Sequence, residues 1–528
     1  MLKFDIIFIG GGVGGSYGAT NLIKKLNKVN NKKLINIAII DKNIKNIPGG
    51  VPYSKNLSSN GFFNNPCRLS PKEFVSWTLK KKNKLILFNF LKKQKNYSIK
   101  NWLINNKDKF LKSKNLQQIE ELYFPRIFLN FWLEDIFLDI LKIKRKEIKV
   151  YFFEGEVTSI NKENKNFKIK FKDKLINYQL INKSFKFKRK KTIRNKKIYT
   201  KRLFISLGLP GPHNPFAKNI NDKFFMYDLY EQGGIEKLKK LIFLKLKKKN
   251  KIIIHFLGAK AGFLECLPEL KNLILNKKKA INIIATSQKA ETLNPALFSK
   301  NGGKYKLINL NDKNLKKINN GKDLLRSIVK EFNYAKKNNF NIYDAWTKIL
   351  KNGIMFNVLR NFSQKDLKDY NTTYHNKIRN MTRFTYPFTV NSKNELQKIG
   401  KIKMIKGKVK RLVKKGGIFL TKTLITDGNM NKEITTKSDI IISVTGPNKF
   451  ENLVKQNSLY NSINICGNNC FNKFGYIVND KFQMESNLNI YVVSFNASGY
   501  NNKRETIVKA VINNSTIASN DLSKGLKA

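Results

Sequence analysis

Residues 10–15 read Gly-Gly-Gly-Val-Gly-Gly and stand directly behind an apolar run, residues 4–9. A short β-branched run that stops at such a turn reads as a buried parallel strand. Behind the turn, Ala19, Leu22, Ile23 and Leu26 recur at helical spacing and place one apolar stripe against a sheet. Residues 35–40 then supply a second strand that closes at Asp41. The result is a βαβ unit. Gly10, Gly12 and Gly15 fit the pattern Gly-x-Gly-x-x-Gly: the first for a sharp turn, the second for close approach of the backbone to a pyrophosphate, the third for tight packing of helix on strand. Val13 and Gly14 open the helix, whose unpaired N–H groups and partial positive charge face the phosphates. Asp41, with Lys42 beside it, stands where a ribose diol would be held. The competing reading, a glycine-rich turn in an unrelated α/β protein, must account for strand, helix, second strand and terminal acid together.

A chain of 528 residues is too long for one core, so two or three packed units are expected. Its 38 Phe argue for a globular chain although the net charge of +67 alone would suggest disorder. That charge on its face recommends nucleic acid or an anionic membrane. The lysines, however, are spread over nearly every segment and travel with Asn and Ile, as drift toward A/T-rich codons would produce. Nucleic acid is therefore not the expected partner, whereas a small anionic substrate or cofactor fits the charge. The densest cluster, Lys186 to Lys191 with Arg194, Lys196 and Lys197, reads as a solvated hairpin extension. Cys67, Cys266, Cys466 and Cys470 are too few for a disulfide framework, and the last two lack both zinc and redox spacing, so no metal site is expected. No run of 18 apolar residues is present, so no membrane span is expected and the cytoplasm is the expected compartment. Oligomeric state leaves no mark in the sequence.

The βαβ layout returns in mid-chain. Residues 252–257 form an apolar run ending at Gly258-Ala259-Lys260-Ala261-Gly262; Phe263, Cys266, Leu267, Leu270 and Ile274 make a helical stripe; and residues 281–285 end in Thr286-Ser287-Gln288-Lys289. Lys260 replaces the second glycine, where its side chain either fills the volume of a pyrophosphate or pairs with it. No carboxylate ends the second strand, and Ser287 with Lys289 suits a 2′-phosphate, so NADPH is favoured over NADH. A decayed unit kept for packing is the other reading. By analogy with two-dinucleotide flavoproteins, FAD belongs to the first turn.

Further stretches resemble a known group. NIPGGVPYS after Asp41, NGFFNNPCRLSPKEFVSW and FPRIFLNFWLEDIF are similar to landmarks of the FAD/NAD(P)-binding oxidoreductases related to flavin-dependent N-hydroxylating monooxygenases, in particular the nitrosuccinate-forming aspartate N-monooxygenase group. GEVTSI, KRLFISLGLPGPHNP, KSDIIISVTGP and the segment from Gly475 onward continue the resemblance in order, with Ser206-Leu207-Gly208 and Phe495-Asn496 departing from the usual residues. The resemblance implies an α/β protein: a Rossmann-like FAD-binding domain (1–215 and 401–528) interrupted by a second Rossmann-like, NAD(P)-binding and substrate-side domain (216–400). It implies Val157 beside the FAD adenine, Gly208 at a cofactor-proximal turn and Tyr53 facing a small-molecule substrate. It also makes Arg379, Arg383, Tyr374 and His375 candidates for binding a carboxylate, against the plainer reading of surface basic residues. The run from residue 402 to 420 is expected to lead back into the FAD domain.

No residue stands out as catalytic acid, base or nucleophile. His213, His255 and His375 show neither triad nor metal spacing, and GLPGPHNPF fails the spacing of the monooxygenase linker fingerprint. The expected activity is an FAD-dependent oxidoreductase reduced by NADPH, with N-hydroxylation or another monooxygenation of a small anionic or amine substrate in view. A flavin reductase or dehydrogenase without oxygen activation, or a non-catalytic FAD- or RNA-binding scaffold, are the alternatives.

Overall fold

The computed structural model describes residues 2–28, 33–54, 61–181, 184–189, 196–208, 211–213, 215–216, 220–229, 233–276, 280–427, 430–446, 449–468, 471–472, 475–485, 487–493, 497–499 and 508–527. The predicted first strand divides in two. Asp5 accepts the amide of Asn36 at 2.8 Å and interrupts the run, so Leu2–Phe4 pairs with Lys196–Thr200 while Ile6–Ile9 enters the core of the sheet. All four residues of Ile6–Ile9 are buried, as a strand covered on both faces requires. Five parallel neighbours form the centre of this sheet, in the order Ile148–Glu163, Ile35–Asp41, Ile6–Ile9, Leu203–Ile205, Asn487–Val492. Strands from both ends of the chain thus make one body. The terminal helix Val508–Lys527 seals it by packing on the first helix, Val13–Asn27, where Asn21 donates to Ser519 Oγ at 2.7 Å and to Asn520 Oδ1 at 3.0 Å. The basic hairpin is present as Ser184–Arg189 paired with Asn166–Ile181; Lys190, Lys191, Arg194, Cys470 and the Phe495-Asn496 pair lie outside the described residues.

A second, five-stranded parallel sheet runs Ile402–Lys406, Ala280–Ser287, Lys251–Leu257, Ile440–Ser443, Phe225–Met226. This corrects the expected boundary at residue 400. Ile402–Lys406 pairs with Ala280–Ser287 instead of leading back to the first sheet, and membership of the second unit extends to Ser443. The cause is packing: Ile402 and Ile405 are buried, and an antiparallel meander, Lys408–Lys415, Ile418–Asp427 and Met430–Ser438, then folds over one face of the sheet, with Leu412 and Phe419 against Leu257, Ile441 and Phe225. Ile252, Ile254 and Phe256 on the opposite face meet helices Gly234–Leu246, Ala261–Asn276 and Pro387–Lys398. Residues 305–381 build a separate helical core inserted in this unit, its longest helix, Gly321–Lys337, capped by Asn320 and the next, Ile342–Lys351, by an Asn341–Asp344 capping box. Where the chain crosses between the units, the two passes are joined: His213 N donates to Gly446 O at 2.8 Å and Thr445 Oγ1 to His213 O.

Candidate functional site: one cavity under two glycine turns

Between the sheets lies a cavity of about 2720 Å³, well beyond the few hundred to about 1,000 Å³ of a pocket for one small ligand. Gly10 ends the strand at φ +95°, and a methyl group there would lie 2.1 Å from Ser206 O of the adjacent strand end. Only glycine fits both the angle and the contact. At Gly15 a methyl would lie 1.9 Å from Gly10 O; this residue is packed beneath the turn and does not line the cavity. Gly12 differs. A methyl there meets only the Gly50 backbone, no nearer than 3.4 Å, so packing leaves room for it on the cavity side. This is the feature a bound pyrophosphate requires. Gly12 caps the helix Val13–Asn27 without a side-chain hydrogen bond, which leaves the first amides aimed at the same space.

Asp41, at the end of its strand, uses Oδ2 to accept Gly11 N at 2.8 Å and Oδ1 to accept Asn43 N at 2.9 Å. Burial raises its carboxyl above the usual range, the Asn43 and Gly11 amides oppose this, and Glu154 adds to it. Each oxygen keeps lone-pair capacity for a ligand hydroxyl, and Asp41 lines the cavity. Lys42 reaches Glu156 at 3.0 Å on the exposed rim. Val157 and Gly208 line the same wall, the latter at φ +74°.

The second turn opens into the same cavity through Gly258, Ser287 and Lys289. Gly258 sits at φ +115°, with Val444 O 2.5 Å from a built methyl. Lys260 extends across the opening and donates to Asn380 at 3.1 Å. Its ammonium is held below the ordinary lysine range by burial, then by Arg383 and Arg379, with Glu291 acting in opposition. Burial and Arg379 together push Arg383 down to about 10. The structure therefore groups Arg379 and Arg383 with Lys260 and Lys289, on the side of the second turn. Among the described residues neither guanidinium has an ion-pair partner.

Tyr53 lies at the opposite side, over Phe63 at 5.9 Å between ring centres; burial raises its hydroxyl, Arg126 opposes and Glu265 reinforces. Tyr374 and His375 do not line the cavity. His255 is buried in its strand with Nε2 2.7 Å from Thr286 Oγ1, a satisfied core residue. Sequence reading missed Arg126 and Glu265, which meet across the cavity, and Gly407-Lys408 at its wall. The Pro-Arg of FPRIFLNF was the available signal for Arg126; Lys408 had none, since its strand was assigned to the other sheet. Among the described residues no helix is long and apolar enough to cross a membrane, and no group of three or more His, Cys, Asp or Glu side chains is placed to hold a metal ion.

Residues 7–176 match a family model described as FAD-NAD(P)-binding. The reduced form of the ornithine hydroxylase PvdA from Pseudomonas aeruginosa shares the fold over 99% of this chain and 100% of its own, at 13% identity and a TM-score of 0.53. The Kutzneria sp. 744 ornithine N-hydroxylase KtzI, solved as KtzI-FADred-NADP+-L-orn, matches over 100% of both chains at 10% identity and 0.51. DfoA from Erwinia amylovora, a cadaverine monooxygenase of the desferrioxamine biosynthetic pathway solved bound to FAD, matches over 98% of this chain and 94% of its own at 10% identity and 0.50. No curated protein matches the chain by sequence. The two-sheet α/β fold of this chain is thus shared with these three enzymes.

Proposed function

We propose that the chain is an FAD-dependent oxidoreductase reduced by NADPH, and that its reaction is the N-hydroxylation of a small amine-bearing substrate. One observation carries the reading: two glycine turns, each at the end of a buried parallel strand, open into a single cavity. FAD held at the first turn by the amides after Gly12 and by Asp41 would supply the redox chemistry, with hydride from NADPH as its source of electrons and O₂ as their acceptor. The protein's part is to hold and orient. Amides at the start of helix Val13–Asn27 face the pyrophosphate and Asp41 the ribose. Lys260, Arg379, Arg383 and Lys289 gather positive charge where a reductant bearing three phosphates would lie. The enzymes that share the fold support this reading: two are ornithine hydroxylases and one is a cadaverine monooxygenase.

The test is spectroscopic. Purified protein is expected to be yellow, with absorbance at about 450 nm that bleaches on adding NADPH in the absence of oxygen. A hydroxylated product on returning air supports the monooxygenase; peroxide alone, or neither, points to a reductase or dehydrogenase. Colourless protein that takes up no FAD at micromolar concentration sinks the proposal, and an RNA shift from such protein supports a basic scaffold.

A further inference from the structure

We propose that helix Ala261–Asn276 is a clamp between the two units, and that Arg126 and Glu265 are positioning residues for hydride transfer between the two nucleotides; this second clause rests on the function proposed above. The inner side of the helix is mostly apolar, with Phe263, Cys266, Leu267 and Leu270 fully buried, and its one buried cation, Lys271, pairs with Glu395 of helix Pro387–Lys398 in the same unit. Two carboxylates one helical turn apart interrupt it, Glu265 and Glu269. A carboxylate in such surroundings is costly unless paired, and both reach the first unit, Glu265 by an ion pair and Glu269 by hydrogen bonds. Glu265, with a side chain 11% exposed, meets Arg126, 15% exposed, through two contacts: Nη2 to Oε1 at 2.6 Å and Nη1 to Oε2 at 3.4 Å. Glu269, 2% exposed, accepts Ser98 N at 2.9 Å and Ser98 Oγ at 3.0 Å and also pairs with Lys239. Ser98 N is one of the amides left without an intrahelical partner at the start of helix Tyr97–Lys112, where a carboxylate also meets the positive end of the helix.

The placement of Glu265 gives the clamp its consequence. It follows Gly262 by less than one helical turn, so a displacement of Glu265 displaces the second glycine turn. On the other side, Arg126 and Tyr53 line the same cavity, and the Tyr53 loop brings Gly50 onto Gly12 of the first turn. Gly12, Gly50, Tyr53, Arg126, Glu265 and Gly262 all line the cavity between the two turns, and the Arg126–Glu265 pair spans it. Hydride transfer is sensitive to ångström-scale misplacement of donor and acceptor, so this ion pair sets their register.

Glu265→Gln keeps the shape and removes the charge; Arg126→Lys keeps the charge and removes the two-pronged geometry. Anaerobic reduction of bound FAD by NADPH is expected to slow by about 10- to 100-fold in Glu265→Gln and by less in Arg126→Lys. Reduction by dithionite and the FAD dissociation constant are expected to stay as in the parent. The reversed pair Arg126→Glu with Glu265→Arg is expected to recover part of the loss. In the ligand-free protein, amides of 97–112 and 261–276 are expected to exchange faster with deuterium in Glu265→Gln and in Glu269→Gln. Rates with NADPH within twofold of the parent in both single variants overturn the positioning role, and unchanged exchange overturns the clamp. If the parent itself is not reduced by NADPH, the proposed function fails, and the exchange experiment still decides the clamp.

Discussion

At their first glycine the two turns are alike: Gly10 and Gly258 both adopt positive φ, and both have the backbone carbonyl of a crossing segment, Ser206 O or Val444 O, where a methyl would go. They part at the second position, Gly12 against Lys260, and at the end of the following strand, Asp41 against Ser287. The first glycine is demanded by the way strands leave the sheet, and both units carry it. The second position and the strand end face the cavity in both units, and there the two units differ in charge as well as in size.

Replacing the shared glycine is the most damaging change. Gly10→Ala adds a clash with backbone to a conformation unfavourable for any side chain, and is expected to lower stability by on the order of 4 kcal/mol and to abolish flavin retention. Gly258→Ala meets its obstacle at 2.5 Å instead of 2.1 Å and is expected to cost less and to leave flavin bound. Denaturant midpoints and the flavin content of purified variants check both. A Gly10→Ala protein that keeps the parent's midpoint breaks the claim that the fold demands this residue.

The strands before the turns also differ. Ile6–Ile9 is apolar throughout, whereas Lys251–Leu257 carries His255, fully buried, its imidazole pushed down to about 4 by burial. A histidine kept neutral in the folded state binds its proton more tightly once unfolded. The stability this represents is complete above the unfolded pKa of about 6.5 and is lost as pH falls from there toward about 4, amounting to roughly 3 kcal/mol. Acid is therefore expected to weaken the second unit first. Denaturation of parent and His255→Asn at pH 7 and pH 4 checks this: the substitution should flatten the slope, and equal slopes would remove the contrast between the strands.

Both βαβ units were legible because their signals are local: strand, turn, helical stripe and strand end fall within about 40 residues. Ala19, Leu22, Ile23 and Leu26 are buried as their spacing predicts, as are Phe263, Cys266, Leu267, Leu270 and Ile274. The sheet that receives residues 402–406 was not legible. A short strand with buried residues on one face reads the same beside either sheet, and its neighbour Ala280–Ser287 is more than 100 residues away. The Arg126–Glu265 pair was hidden for the same reason, since its partners are 139 residues apart. Arg379 and Arg383 were found as basic residues, but their grouping with Lys260 depends on where helix His375–Met381 packs.

The smallest effect tests the difference at the second glycine itself. If Lys260 pairs with a phosphate of the reductant, Lys260→Gly removes one charge-assisted contact and opens space that the ligand does not need. The KM for NADPH should rise about tenfold while flavin retention stays unchanged. If instead the lysine occupies the space of a pyrophosphate, the same substitution restores the pattern of the first turn and NADPH binds more tightly. Arg383→Ala separates the two further. The pyrophosphate is common to NADPH and NADH, so if Lys260, Arg379 and Arg383 share it, Arg383→Ala weakens both nucleotides alike, whereas a loss confined to NADPH puts the guanidinium on the 2′-phosphate. Titrating both nucleotides against both variants gives four affinities, and tighter NADPH binding to Lys260→Gly would make the second turn a relic of its fold and not a working copy of the first.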